Sequence, residues 1–148
     1  MSLSDLIRVQ VVKVPLASHS KNDLIEELLS VLVDAGDVTE RETALNALLE
    51  RESLGSTGLD SGIAVPHAKT NAVAGLTVAI GISPDGVDFA AADGQLSRIF
   101  FMMLAPPDQS GPHIEALAEI ARLVRAPAFL KALSRAESAQ EVVDLLNE

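Results

Sequence analysis

The sequence predicts an α/β fold, with a mixed central sheet flanked by helices in a single domain. Short apolar runs cluster in the middle of the chain, and stretches of helical periodicity lie on either side of them. With 148 residues and 48% apolar content, the chain suits one substantial core. No internal repeat, low-complexity tract or linker interrupts it, so the expected domain spans residues 1–148.

The elements follow in order. Ile7 to Leu16 reads as a strand, with Val9, Val11 and other β-branched residues interrupted by polar ones and Pro15 near the end. Leu24, Leu28, Val31 and Leu32 then recur at helical spacing, behind a Ser20 to Asp23 capping pattern and ahead of Gly36 as a stop. A second helix is expected from Thr39, with Glu42 at the reciprocal capping position, through Leu45, Leu48 and Leu49 to Arg51. Small residues from Gly55 to Gly62 form a loop before the short run Ile63-Ala64-Val65, which ends at Pro66-His67. Leu76 to Ile82 and Ile99 to Leu104 are continuous apolar runs suited to buried strands, with Gly86 to Phe89 and an Asp93-Gly94 turn between them. Beyond Pro106-Pro107, a helix is expected from Pro112 through Arg125, with Ile114, Leu117, Ile120, Ala121 and Val124 on one stripe. Two short helices, Ala128 to Leu133 and Ser138 to Leu146, close the chain, the last opened by a Ser138 to Glu141 capping box.

Composition narrows the function. Lys and Arg number 11 against 21 Asp and Glu, a net charge of −10 that repels nucleic acid and anionic membrane surfaces and favours a basic protein partner. Four Phe are the only aromatic residues besides histidine, which argues against stacking on bases. There is no cysteine, hence no disulfide, thiol nucleophile or cysteine metal site. Asp5, Arg8 and Lys13 break any signal-peptide run and no stretch is long enough to span a bilayer, so a cytoplasmic protein is expected.

Three histidines are candidates for chemistry, because imidazole can act as a neutral nucleophile near pH 7. His67 stands at the mouth of an expected strand, where α/β folds place their sites. His113 opens a helix behind Gly111-Pro112, where free amides favour an anion, whereas His19 is an ordinary loop residue. Taken alone, the commoner reading of each is a solvent-exposed or merely hydrogen-bonded histidine. Their separation gives no local metal motif. Arg51 suits phosphate oxygens through its planar fork, or else pairs with Glu50 or Glu52. Gly55 to Gly58 can form an amide nest. Lys69-Thr70 lacks the glycines of a nucleotide loop, and Gly58 to Gly62 misplaces the serine of a hydrolase elbow.

Together, several segments resemble the enzyme IIA domain of the fructose/mannitol class of the phosphoenolpyruvate-dependent sugar phosphotransferase system, including its nitrogen-regulatory branch. They are Arg51 to Gly58, Gly62-Ile63-Ala64-Val65-Pro66-His67, Val87-Asp88-Phe89 with Asp93-Gly94-Gln95, Phe100 to Pro106, and the helix opened by His113. The chain departs from the family pattern at Ala68, where glycine is common, at Ile114, where leucine is usual, and in the Gly111-Pro112 pair. The resemblance implies that His67 is phosphorylated, that His113 lies beside it and that Arg51 lines the site. Amides near Ser56 and Thr57 would help to hold the phosphoryl group. It also implies transfer without metal or cofactor, from the histidine phosphocarrier protein as donor to an enzyme IIB partner. The alternative is a regulatory binding module whose phosphorylation state controls a target protein without onward transfer. The lack of fused transport segments favours that alternative, while Gly86 to Phe89 and Asp93 to Gln95 resemble the sugar-specific branch.

Overall fold

The computed structural model describes residues 3–147. Its sheet is built from β1 (Val12–Lys13), β2 (Ile63–Ala64), β3 (His67–Lys69), β4 (Thr77–Val87) and β5 (Ser97–Ala105). The order is β1-β4-β5-β2, with β3 also on β5; β4 and β5 are antiparallel and the other pairings parallel, which makes the sheet mixed. Helices α1 (Lys21–Asp34) and α2 (Arg41–Ser53) precede most of the sheet in sequence, and α3 (Ser110–Leu123), α4 (Pro127–Ser134) and α5 (Ala139–Leu146) follow it.

The apolar run of β5 shows why both faces need helices. Phe100, Met102 and Leu104 pack with Leu24, Ile25, Leu28 and Leu48 of α1 and α2, while Ile99, Phe101 and Met103 pack with Ile120, Leu130, Leu133 and Val142 of α3 to α5. Strand side chains alternate between faces, so a strand buried on both sides reads as continuous hydrophobicity. Each large aliphatic or aromatic side chain so buried contributes about 1.5–3 kcal/mol.

Several boundaries differ from the sequence expectation, each for a tertiary reason. Of Ile7 to Leu16, only Val12–Lys13 is strand; Leu3–Leu6 and Val9–Val11 are 3-10 turns. Leu3, Ile7 and Val11 are buried at intervals of four, so helical spacing wins over β-branching there. The second helix starts at Arg41 rather than Thr39, because the Thr39 amide (3.1 Å) and hydroxyl (3.3 Å) both donate to the Ala72 carbonyl instead of capping. Strand β4 runs on to Val87, beyond the expected Ile82, through an irregularity between Ile82 and Val87 that accommodates Pro84. Helix α3 begins at Ser110, with Pro112 in a first turn that needs no donor from it, and ends before Arg125. Ile114, expected on its core stripe, is 64% exposed; the inward row is His113, Ala116 and Ile120. The caps at Ser20 and Ser138 form as expected, accepting from the amides of Asp23 (3.4 Å) and Glu141 (3.1 Å).

Candidate functional site

The site is assembled along the sheet edge formed by β2 and β3. Both strands pair with β5, but Val65-Pro66 separates them; Pro66 has no N–H for a ladder, while its carbonyl accepts from Met103 N at 3.0 Å. Pairing resumes at His67, opposite Met103. The outer side of this edge is covered by the loop after α2: Val65 N donates to Thr57 O at 3.0 Å and Leu59 N to Ile63 O at 2.7 Å. His67 and that loop therefore share one rim.

A cleft of about 260 Å³ opens there, lined by Arg51, Ser56, Thr57, His67, Leu117 and Ala121 together with Leu59 and Val65. Four of the residues singled out from sequence meet in it. The fifth, His113, lies beside His67 with ring centroids 5.5 Å apart and planes at 77°. His19, read as an ordinary loop residue, lies outside this cleft. Along α3, His113, Leu117 and Ala121 are spaced four apart and share a face, so one helix supplies both the second imidazole and an apolar wall.

The two histidines differ in state. Nδ1 of His67 lies 2.7 Å from the Val65 carbonyl. A carbonyl only accepts, so the proton sits on Nδ1 and, in the neutral ring, the lone pair is on Nε2. His113 is 3% exposed, and its Nε2 is buried with no hydrogen-bond partner among the described residues. Burial, then the positive potentials of His67 and Lys69, hold its pKa below the ordinary 6.5. It is therefore a neutral imidazole near pH 7, with a ring nitrogen uncommitted inside the protein.

Arg51, in the last turn of α2, donates from Nη1 to the Gly55 carbonyl at 3.0 Å. It makes no ion pair among the described residues, and Glu52 pairs with Lys21 at 2.6 Å instead. Its remaining guanidinium donors are thus available to an anion in the cleft. Ser56 and Thr57 are mostly engaged internally. The Ser56 hydroxyl donates to Phe89 O and accepts from Gly58 N at 3.0 Å. The Thr57 amide (3.0 Å) and hydroxyl both donate to the Glu52 carboxylate. Both donors of Thr57 thus serve the loop. Of the amides from Gly55 to Leu59, four have internal acceptors, and that of Ser56 has none among the described residues.

Sequence reasoning offered Glu52 only as a surface partner for Arg51 and passed over Lys21, because a charged residue in a helix ordinarily reads as surface; the burial of Glu52 (9% exposed) goes with a loop five residues on. Lys69, two residues along β3 from His67, also went unassigned, although it contributes positive potential at His113. Among the described residues, no group of three or more His, Cys, Asp or Glu side chains could hold a metal ion. Among the described residues, no helix is long and apolar enough to cross a membrane.

Comparison with known proteins agrees over nearly the whole chain. Residues 5–148 match the family model for the phosphoenolpyruvate-dependent sugar phosphotransferase system, EIIA 2. The chain is 38% identical over 146 residues to the PTS system fructose-specific EIIA component of Haloferax volcanii, covering 99% of this chain and 95% of that protein. It is 36% identical over 148 residues to the PTS system fructose-specific EIIABC component of Bacillus subtilis, a match to 100% of this chain that spans only 23% of that longer protein. Among solved structures, it is similar to the nitrogen regulatory protein IIA-Ntr from Neisseria meningitidis, with a TM-score of 0.84, 29% identity and coverage of 97% and 98% of the two chains. It is also similar to a chain in the complex of enzyme IIAMtl and phosphorylated enzyme IIBMtl from Escherichia coli, with a TM-score of 0.81, 25% identity and coverage of 95% and 96%.

Proposed function

The chain belongs to the EIIA 2 family of the phosphoenolpyruvate-dependent sugar phosphotransferase system, and from that premise we propose that it is a phosphohistidine carrier whose acceptor is Nε2 of His67. The observation that supports this most is the hydrogen bond from His67 Nδ1 to Val65 O, which leaves Nε2 as the basic nitrogen of a ring lining the cleft. In the proposed step, the Nε2 lone pair attacks the phosphorus of a phosphohistidine on the donor, the histidine phosphocarrier protein. The new N–P bond forms as the donor's N–P bond breaks, and the departing imidazole keeps that electron pair. Arg51 and the Ser56 amide face the equatorial oxygens, and His113 offers its buried nitrogen. One phosphoramidate replaces another, so the step is close to thermoneutral and positioning supplies most of the acceleration.

On this reading, residues 1–148 act as one carrier domain in the cytoplasm, and His67 passes the group on to an enzyme IIB partner in sugar uptake. The net charge of −10 suits transient docking of a basic donor and disfavours nucleic acid. The likeness to a nitrogen regulatory IIA favours a second use, in which the charge added at His67 changes which target protein the domain binds.

The test is to incubate the protein with the general phosphotransferase components and labelled phosphoenolpyruvate, then add candidate IIB proteins. The expected result is acid-labile label on the wild type and none on His67→Gln. Label chased to a IIB protein identifies transport, whereas a persistent phospho-form that changes a target's affinity identifies regulation. Full labelling of His67→Gln would reject the carrier assignment.

A further inference from the structure

Behind the cleft, a charged network, buried at Glu52 and partly exposed at Lys21, ties the anion-facing loop to two helices. Glu52 follows Arg51 in the last turn of α2, and successive helical side chains point about 100° apart. Arg51 thus lines the cleft while Glu52 turns into the protein. The Glu52 carboxylate receives three donors: the Thr57 hydroxyl on Oε1, and the Thr57 amide (3.0 Å) and Lys21 Nζ (2.6 Å) on Oε2. Lys21, the first residue of α1, also places Nζ 4.7 Å from the centroid of the Phe89 ring. The Phe89 carbonyl accepts from the Ser56 hydroxyl, so Ser56 and Thr57 are both tied to groups held by Lys21. The chain of contacts closes on Arg51, which donates to the Gly55 carbonyl of the same loop.

We propose that Glu52 and Lys21 are positioning residues for phosphoryl transfer: their ion pair fixes the Gly55 to Leu59 loop so that the Arg51 guanidinium and the Ser56 amide meet the group on His67. This rests on the carrier reading above. The reason for a charged pair, where burial disfavours charge, is directional. A carboxylate accepting from both the amide and the hydroxyl of one residue sets that residue's orientation as well as its position, which apolar packing cannot do. With Thr57 N–H drawn to Glu52, Gly58 N–H to Ser56 Oγ and Leu59 N–H to Ile63 O, the Ser56 amide is the loop donor left for an anion.

Single-turnover phosphorylation of His67 by the phosphorylated donor protein tests this, with wild-type labelling as the check on the carrier reading itself. A wild type that is never labelled would sink that reading; the positioning claim is judged on ratios between variants. Glu52→Gln keeps the shape but puts a donating amide NH2 where one carboxylate oxygen accepts. The maximal rate is expected to fall about ten- to a hundredfold, with the donor concentration for half-maximal rate changed less than about threefold. Exchange protection of the Thr57 amide should be lost with it. Thr57→Val and Lys21→Met should slow the reaction in the same manner, and combining either with Glu52→Gln should add little. An unchanged maximal rate in a folded Glu52→Gln protein would overturn the proposal. If that variant does not fold, unchanged maximal rates in both Thr57→Val and Lys21→Met would overturn it equally.

Discussion

A neutral, buried imidazole packed against a second one makes the protein sensitive to acid in a definable window. His113 has a folded pKa below 6.5, because burial disfavours its cation and because His67 and Lys69 lie near. Between that lowered value and 6.5, the unfolded chain binds more protons than the folded one, so stability rises with pH across the window and falls on acidification below 6.5. His113→Gln should flatten the dependence of melting temperature on pH between 7 and 5 relative to the wild type, and equal slopes would refute this state for His113. At the same scale, the place of His67 at a strand end was legible from Ile63-Ala64-Val65-Pro66-His67, whereas its proposed role rested on the resemblance that this segment carries. Its partner Val65 O was not legible, since the bond runs from a side chain to a backbone carbonyl two residues back and depends on rotamer and strand geometry.

Among the elements, the entry into α1 illustrates how a connection is held by one side chain. The Glu27 carboxylate accepts from Ala17 N (3.1 and 2.9 Å) and Ser18 N (2.9 Å) and pairs with Lys13 at 2.8 Å, so α1 grips the segment leading from β1. Burial pushes its pKa up, but Lys13 and the amides of Ala17 and Ser18 together outweigh it and hold the pKa at about 2, against the usual 4.5. The folded pKa is depressed, so this stabilisation is complete above 4.5 and is lost as pH falls toward about 2. Glu27→Gln should cost about 1–3 kcal/mol near neutrality, measured by urea unfolding, with the difference from wild type shrinking below pH 4.5. A constant difference down to pH 3 would contradict the assignment. The α1 and α5 caps and the β5 run were readable because each is decided by residues adjacent in sequence. The Ile7 to Leu16 segment and Thr39 were not, since distant partners decide them: the edge of β4 for Val12, and Ala72 for Thr39.

For the whole molecule, the layered arrangement explains how residues far apart in sequence meet at one rim. The loop after α2, the β2–β3 edge and the start of α3 bring Arg51, His67 and His113 together because α2 and α3 pack on opposite faces of a sheet whose central strand is β5. The architecture was legible from the order of apolar patterns; which charged residues face inward was not, since Glu52 is met by Thr57 of the following loop and by Lys21 of α1, partners that its own helix does not reveal. The central claim is that Nε2 of His67 carries the phosphoryl group. Long-range ¹H–¹⁵N NMR of the imidazole nitrogens, before and after phosphorylation of the wild-type protein, tests it most directly. Phosphorus coupling and a shifted resonance are expected at Nε2 of His67, with Nδ1 still protonated; a phosphoryl group on Nδ1, or on His113 or His19, would contradict the claim.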